Sequence, residues 1–177
     1  VDKRYIGLVK GSLKNLEGEI VAPIARRDHA GKHSGRSKVD VGKGLKAAKP
    51  AITRYRVLSQ AGNCSLVEFE LITGRTHQIR AHLKHVGSAL VGDDEYGDRT
   101  FNRYAKEKFG VARQFLHASQ LRFKHPSTKK NIDVAAPLPE DLMCALDAAG
   151  FASDALPPAL AQEFETNVRV LGSDEEE

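Results

Sequence analysis

Residues 71–82 read Leu-Ile-Thr-Gly-Arg-Thr-His-Gln-Ile-Arg-Ala-His, and the chain is organised around this junction, where a strand gives way to a helix. Ile79, Leu83 and Val86 recur at i, i+4 and i+7, which predicts a helix from Thr76 to about Val86, stopped by Gly87. His77, Arg80 and Lys84 fall on its other side. Free backbone N–H groups at the helix start, beside Arg75, favour an anion such as phosphate. Taken alone, this supports anion binding and no particular reaction.

Immediately upstream, Thr53, Tyr55 and Val57 alternate with Arg54 and Arg56, and Ser65, Val67, Phe69 and Leu71 alternate with Leu66, Glu68 and Glu70. With Ala61-Gly62-Asn63 between them, these runs predict a hairpin with one wet face. The hairpin delivers the junction at the end of a sheet strand, where a rigid scaffold holds it. Further upstream, Tyr5 to Val9 is a short apolar run ended by Gly11 and Ser12, read as a buried strand. Tyr5 is either a core aromatic or a stacking surface for a base.

Between these strands lies a basic, glycine-rich stretch in which Arg26, Arg27, Lys32, Arg36, Lys38, Lys43, Lys46 and Lys49 face only Asp28 and Asp40. It reads as a mobile basic hairpin against a phosphate backbone, or as an ordinary solvated loop. Downstream, Gly92-Asp93-Asp94-Glu95-Tyr96-Gly97 is a carboxylate-rich loop in which Asp93 or Asp94 is expected to cap a turn or pair with an arginine. A helix over Phe101–Phe109 and a strand alternating Phe115, His117, Ser119, Leu121 and Phe123 follow. A returning strand carries Ile132, Val134 and Ala136, and a helix begins at Pro139 with Leu142, Cys144, Ala145 and Leu146 inside. Residues 1–150 are read as one unit and 151–177 as a loosely ordered acidic tail.

The 177 residues carry a net charge of +4, but Asp174, Glu175, Glu176 and Glu177 contribute −4, so the other 173 carry +8. A basic body favours a polyanionic partner, RNA or DNA ahead of an anionic membrane. No membrane-spanning run and no secretion signal stand out, and Cys64 and Cys144 both lie in apolar patterns typical of reduced, buried thiols. A cytoplasmic protein is expected. A metal site on the 76–86 helix is disfavoured, because His82 falls toward the apolar stripe while His77 and His85 lie on the other side, about 80° apart. The sequence contains no Gly-x-Ser-x-Gly elbow and no phosphate-loop motif. The residues themselves leave a nucleic-acid enzyme and a binding module both open.

The motif at 71–80, followed by Gly92-Asp93-Asp94-Glu95-Tyr96-Gly97 and then Phe115-Leu116-His117-Ala118, resembles the RluA-type family of RNA pseudouridine synthases, with Lys3-Arg4-Tyr5, Gly7 and Gly11 similar to its tyrosine motif. The resemblance runs in order from about residue 1 to 146 and is closest to the branch acting on the large ribosomal subunit. It implies an α+β fold, a mixed, mainly antiparallel sheet with flanking helices and loops, and an RNA cleft. It also implies isomerisation of uridine to pseudouridine without metal or organic cofactor, by a monomer acting on ribosomal or transfer RNA. In the resemblance, Tyr5 is the tyrosine that packs on uracil, Arg80 pairs with the catalytic aspartate, and Leu116 lies beside the target base. Arg75 and His77 hold phosphate or brace the loop; Arg26, Arg27, Lys32 and Arg36 are expected RNA contacts on the charge of the basic stretch, apart from the resemblance. The family's Arg-Leu-Asp block, which carries the nucleophile, is not among these residues. The 177 residues are therefore expected to be the C-terminal part of the catalytic fold and inactive alone, or else a noncatalytic RNA-binding module that has kept the cleft.

Neutralising Arg26 and Arg27 is expected to flatten the log–log salt dependence of RNA binding by about one unit for each phosphate that is no longer neutralised. Titrations of a fluorescent RNA over a range of salt concentrations measure this slope, and an unchanged slope removes the basic hairpin from the RNA path.

Overall fold

The computed structural model describes residues 1–26, 39–152, 154–161 and 167–171. Ten strands and three helices follow in the order β1 (Asp2–Lys10), β2 (Glu17–Val21), β3 (Ile24–Arg26), β4 (Val39–Val41), β5 (Ile52–Ala61), β6 (Cys64–Leu71), α1 (Gln78–His85), β7 (Ala89–Leu90), α2 (Arg99–Phe109), β8 (Leu116–Lys124), β9 (Asn131–Ala135), α3 (Glu140–Ala148) and β10 (Asn167–Leu171). The main sheet runs β10-β9-β8-β1-β6-β5-β2, with β7 also on β1, while β3 and β4 form a separate two-stranded ribbon. Each pairing among the described strands is antiparallel. The α+β architecture expected from the resemblance is the one adopted.

The hairpin is β5–β6, turning at Gly62, whose φ of 53° is one that glycine adopts at little cost. Period-two alternation then gives the sheet two different faces. On one face Val9, Val67 and Phe69 pack with Leu90 and with Ile79 and Leu83 of α1. Gly7 belongs to this face because a methyl there would lie 3.0 Å from both Leu90 Cδ1 and Phe69 Cε2. On the other face Ile6, Leu8, Cys64 and Leu66 pack with Ala105 of α2 and with Leu142, Ala145 and Leu146 of α3. Only part of that second face is wet: there Glu68 takes Arg4 and Arg56, each at 3.2 Å, and Glu19 takes Arg54 at 2.6 Å.

Four sequence readings are corrected by packing. The helix at the junction starts at Gln78 and not at Thr76. The Gln78 side-chain oxygen accepts from Thr73 Oγ1 at 2.8 Å and from the Arg75 N–H at 3.0 Å, and His77 adopts φ 54°, so the chain turns before it coils. Val86, placed in the buried stripe, is 47% exposed, since the helix ends before it. Cys144 is exposed on α3 although Cys64 is buried. Residues 151–161, read as the start of a loose tail, place Phe151, Leu156 and Leu160 in the core against α3, and β10 extends the sheet beside β9. Among the described residues no helix is long and apolar enough to cross a membrane.

His82 is fully buried and joins the hairpin to the segment before it. Its Nδ1 lies 3.0 Å from Thr53 Oγ1 and its Nε2 2.9 Å from the Ala22 carbonyl, while Gln78 Nε2 donates to Thr53 at 3.0 Å. Burial pushes its pKa below the usual value of 6.5, so the neutral ring is the folded form. The unfolded chain binds the proton more readily, which makes stability full above about pH 6.5 and lost as pH falls toward the depressed folded value. The urea midpoint is expected to drop between about pH 7 and pH 5, and His82→Gln to reduce that drop. An identical pH profile for the variant assigns the effect to another group.

Candidate active site

The site is built where the 90–98 loop folds under α1. Gly92 has φ 77°, and a side chain there would collide with the Arg113 carbonyl; one at Gly97 would collide with the Asp93 carbonyl. Asn102 of α2 clamps this loop from both sides, accepting from the Gly92 N–H at 2.8 Å and donating to the Asp93 carbonyl at 2.9 Å. Asp98 caps α2 by accepting from the Phe101 N–H at 2.9 Å and pairs with Lys10 at 2.6 Å. The glycines and caps leave the Asp93 side chain one place to go.

Asp93 is 1% exposed and its carboxylate accepts four hydrogen bonds. Oδ1 takes the Glu95 and Tyr96 N–H groups at 2.9 and 3.0 Å and Arg80 Nη2 at 2.8 Å; Oδ2 takes Arg80 Nε at 2.7 Å. Burial alone would raise its pKa, but the Arg80 guanidinium and the two amides outweigh burial and hold it below the usual carboxylate range. Arg80 in turn is stabilised as a cation, chiefly by its hydrogen bonds to Asp93, and Nη2 also reaches Glu95 Oε2 at 3.3 Å. The guanidinium lies 4.9 Å from the centre of the Tyr96 ring. Two features stay open among the described residues: Nη1 of Arg80 has no hydrogen-bond partner, and neither has the buried Oε1 of Glu95.

The other residues expected at the site fall into two groups. Tyr5 and Leu116 are half-buried on the α1 side of the sheet, packed against the cluster that contains Ile79 and Leu83. Gly7 between them puts Leu116 Cδ1 3.3 Å from where its methyl would be. His77 is directed at the loop: Nδ1 lies 3.2 Å from the Tyr96 hydroxyl and 3.9 Å from Glu95. Burial, then the Arg80 charge, lower its pKa, so a neutral ring accepting the Tyr96 O–H fits the geometry. Tyr96 Oη also accepts from the Val39 N–H at 3.0 Å, tying β4 to the site. Arg75 points elsewhere, its Nε on the Pro50 carbonyl at 3.2 Å, and is exposed, as is Arg26 at the end of β3. Arg27, Lys32 and Arg36 lie outside the described residues.

Sequence reading anticipated Asp93 as a turn cap or arginine partner, and it is both. It did not identify which arginine, nor the parts played by Tyr96, Asn102 and Lys3, whose Nζ lies 3.4 Å from the Cβ position of Gly74. Those pairings join elements far apart in sequence and leave no periodic signal.

A family model described as RNA pseudouridylate synthase matches residues 1–85. A ribosomal large subunit pseudouridine synthase C from Vibrio vulnificus is 39% identical over 80% of this chain and 42% of its own length. A ribosomal large subunit pseudouridine synthase D from Zymomonas mobilis is 36% identical over 80% and 43%. The solved structure of human RNA pseudouridylate synthase domain containing 1 superposes with a TM-score of 0.64 at 29% identity, covering 81% of this chain and 58% of that one. The chain belongs to the RNA pseudouridine synthase family. It spans about two fifths of the length of those two bacterial relatives.

Asp93→Asn leaves the Arg80 charge half-compensated in a site that excludes most water. A loss of about 3 kcal/mol is expected, at the low end for a broken buried pair because Glu95 remains. Urea unfolding measures it, and a loss under about 1 kcal/mol would mean that the pair behaves as a surface bridge.

Proposed function

We propose that this chain is part of an enzyme that isomerises uridine to pseudouridine in structured RNA in the cytoplasm, with large-subunit ribosomal RNA as its substrate class. The observation that carries the reading is Arg80. Its Nε and Nη2 are fixed by Asp93, its Nη1 is uncommitted, and it stands on the helix that packs beneath Tyr5 and Leu116. A guanidinium held in this way presents one oriented donor edge to an incoming carboxylate and favours its ionised form. No Arg-Leu-Asp block occurs in the 177 residues, and we place that aspartate in chain outside them. The names of the relatives support a large-subunit target, and the similarity to both C-type and D-type synthases leaves the modified uridine open.

The reaction exchanges one bond of the base for another. The bond from the ribose C1′ to N1 of uracil breaks, the base turns while held, and C1′ bonds to C5. The C5 hydrogen leaves as a proton and N1 gains one, so atoms and charge balance without metal or organic cofactor. In this reading Tyr5 packs on the uracil, and Leu116 supplies apolar contact beside it. The target nucleotide must leave its stack first, at a cost of a few kcal/mol that contacts to the flanking RNA offset. A second reading, a noncatalytic RNA-binding module, is favoured by one observation: Asp93 and Glu95 already balance the Arg80 charge.

Release of tritium from RNA labelled at C5 of uridine separates the two. The 177 residues alone should release none, and the chain extended by its upstream segment should release it at enzymatic rates. Release by the 177 residues alone would overturn the missing-aspartate reading, and none from the extended chain would favour the binding module. In the extended chain, Arg80→Lys should nearly abolish turnover while RNA affinity stays within a few fold. Lysine keeps the charge beside Asp93, so the variant folds where Arg80→Ala would strand two buried carboxylates.

A further inference from the structure

Four cations converge on a cavity of about 530 Å³ between β3, the 46–49 turn and the Gly74–Thr76 turn: Arg26, Lys46, Lys49 and Arg75. No carboxylate lines it among the described residues, and none of the four makes an ion pair with a described residue. Arg54, Arg56, Arg113 and Arg122, also exposed, each meet a carboxylate, whereas Arg99 and Arg103 on α2 meet none among the described residues but do not line this cavity. Four like charges set round one hollow repel one another, and an anion placed among them relieves that repulsion.

The backbone under these side chains is fixed. Ile24 and Lys49 exchange N–H to carbonyl bonds, both 2.9 Å, and Arg75 is held to the Pro50 carbonyl. Gly74 forms part of the wall, and among the described residues beyond its chain neighbours the Lys3 ammonium is what lies within 4 Å of its Cβ position. A line of positive charge therefore leads from the cavity past Gly74 to Lys3, two residues from Tyr5 on β1. The helix start contributes little, since Gln78 already accepts the Arg75 N–H.

We propose that this cavity seats a phosphodiester of the RNA strand flanking the target uridine, with Arg26, Lys46, Lys49 and Arg75 as its ligands and Lys3 next along the backbone. The proposal rests on the RNA reading above and adds to it a defined seat, separate from the Arg80 cluster. Its role is to hold the strand on one side of the nucleotide that unstacks. The contacts are to phosphate, so the seat contributes affinity and register and no base preference.

The test uses the full chain and a single-stranded uridine-containing RNA oligonucleotide, with Lys46→Gln/Lys49→Gln against Lys106→Gln/Lys108→Gln. The second pair removes the same charge from exposed positions on α2, which covers the opposite sheet face. The first pair should weaken binding about fivefold or more and flatten the log–log salt slope by about 0.7 for each phosphate set free; the second pair should change both far less. Oligonucleotides carrying one uncharged methylphosphonate linkage then locate the seat. One linkage should matter to the parent chain and lose its effect in Lys46→Gln/Lys49→Gln. RNA bound normally, with equal effects from the two lysine pairs or with no linkage that stands out, overturns the seat and leaves the RNA reading intact. No RNA binding by the parent chain overturns both. Binding to phosphatidylserine vesicles that needs Lys46 and Lys49, with RNA affinity unaffected, assigns the cavity to a membrane surface and also overturns it. Inorganic phosphate that fails to compete at millimolar concentration fits a seat whose affinity comes from the whole strand, whereas competition at micromolar concentration identifies a free-anion site and overturns the proposal.

Discussion

The bidentate pair between Arg80 and Asp93 is the constraint on which the rest of the site depends. A carboxylate at 1% exposure is tolerable only if its lone pairs are filled, and four donors fill them, two from Arg80 and two from the backbone of its own loop. Each donor requires a further feature. The two amides require the tight turn at Asp93, which requires glycine at 92 and 97; the guanidinium requires α1 to begin late enough to aim position 80 at the loop. Removing any of these leaves a buried charge without its partner, a larger penalty than the pair's net contribution to stability.

Two groups of charged residues have different physical roles. Arg4, Arg54 and Arg56 cover the open part of the sheet with carboxylates between them, so that part is nearly neutral over a few ångströms and worth little in stability. Arg26, Lys46, Lys49 and Arg75 lie together with no described carboxylate among them, so positive charge is left locally unbalanced there. The local pairing of charges, more than the total of +4, determines where a polyanion is attracted.

What was legible in the sequence followed from periodicity and from short-range turn chemistry. The β5–β6 hairpin could be read because Tyr55, Val57, Val67 and Phe69 alternate and Gly62 sits between the strands. α2, β8, β9 and α3 could be read because their apolar residues repeat and Pro139 and Gly150 punctuate them. The start of α1 could not, because Gln78 satisfies the turn with its side chain, an interaction that no 3.6-residue pattern encodes. Val86 kept the spacing of the stripe but lay past the last helical residue. Cys144 sits among apolar neighbours in sequence but on the outward side of α3 in space. The burial of Phe151, Leu156 and Leu160 was hidden by Pro157-Pro158 and the acidic end, which read as a tail although the three apolar residues had a groove to fill. In the site, residue types were visible and partners were not: Asp93 was recognisable as a cap, but its arginine lies thirteen positions earlier on another element.

The Tyr96 hydroxyl is where the basic ribbon and the arginine cluster meet. It accepts from the Val39 N–H at the start of β4 and lies within hydrogen-bonding distance of His77, while its ring faces the Arg80 guanidinium. The ribbon that ends in Arg26 and Val39 is therefore positioned relative to α1 by a buried bond as well as by the packing of Ile24, Val39, Ala81 and Tyr96. Buried groups of this kind are satisfied in one arrangement and costly in others, so they specify geometry more than they add stability. A phosphate seat on the ribbon and an oriented guanidinium on α1 are then held at a fixed separation. The proposed reaction, in which a strand is held while one of its bases swings out, calls for that fixed separation.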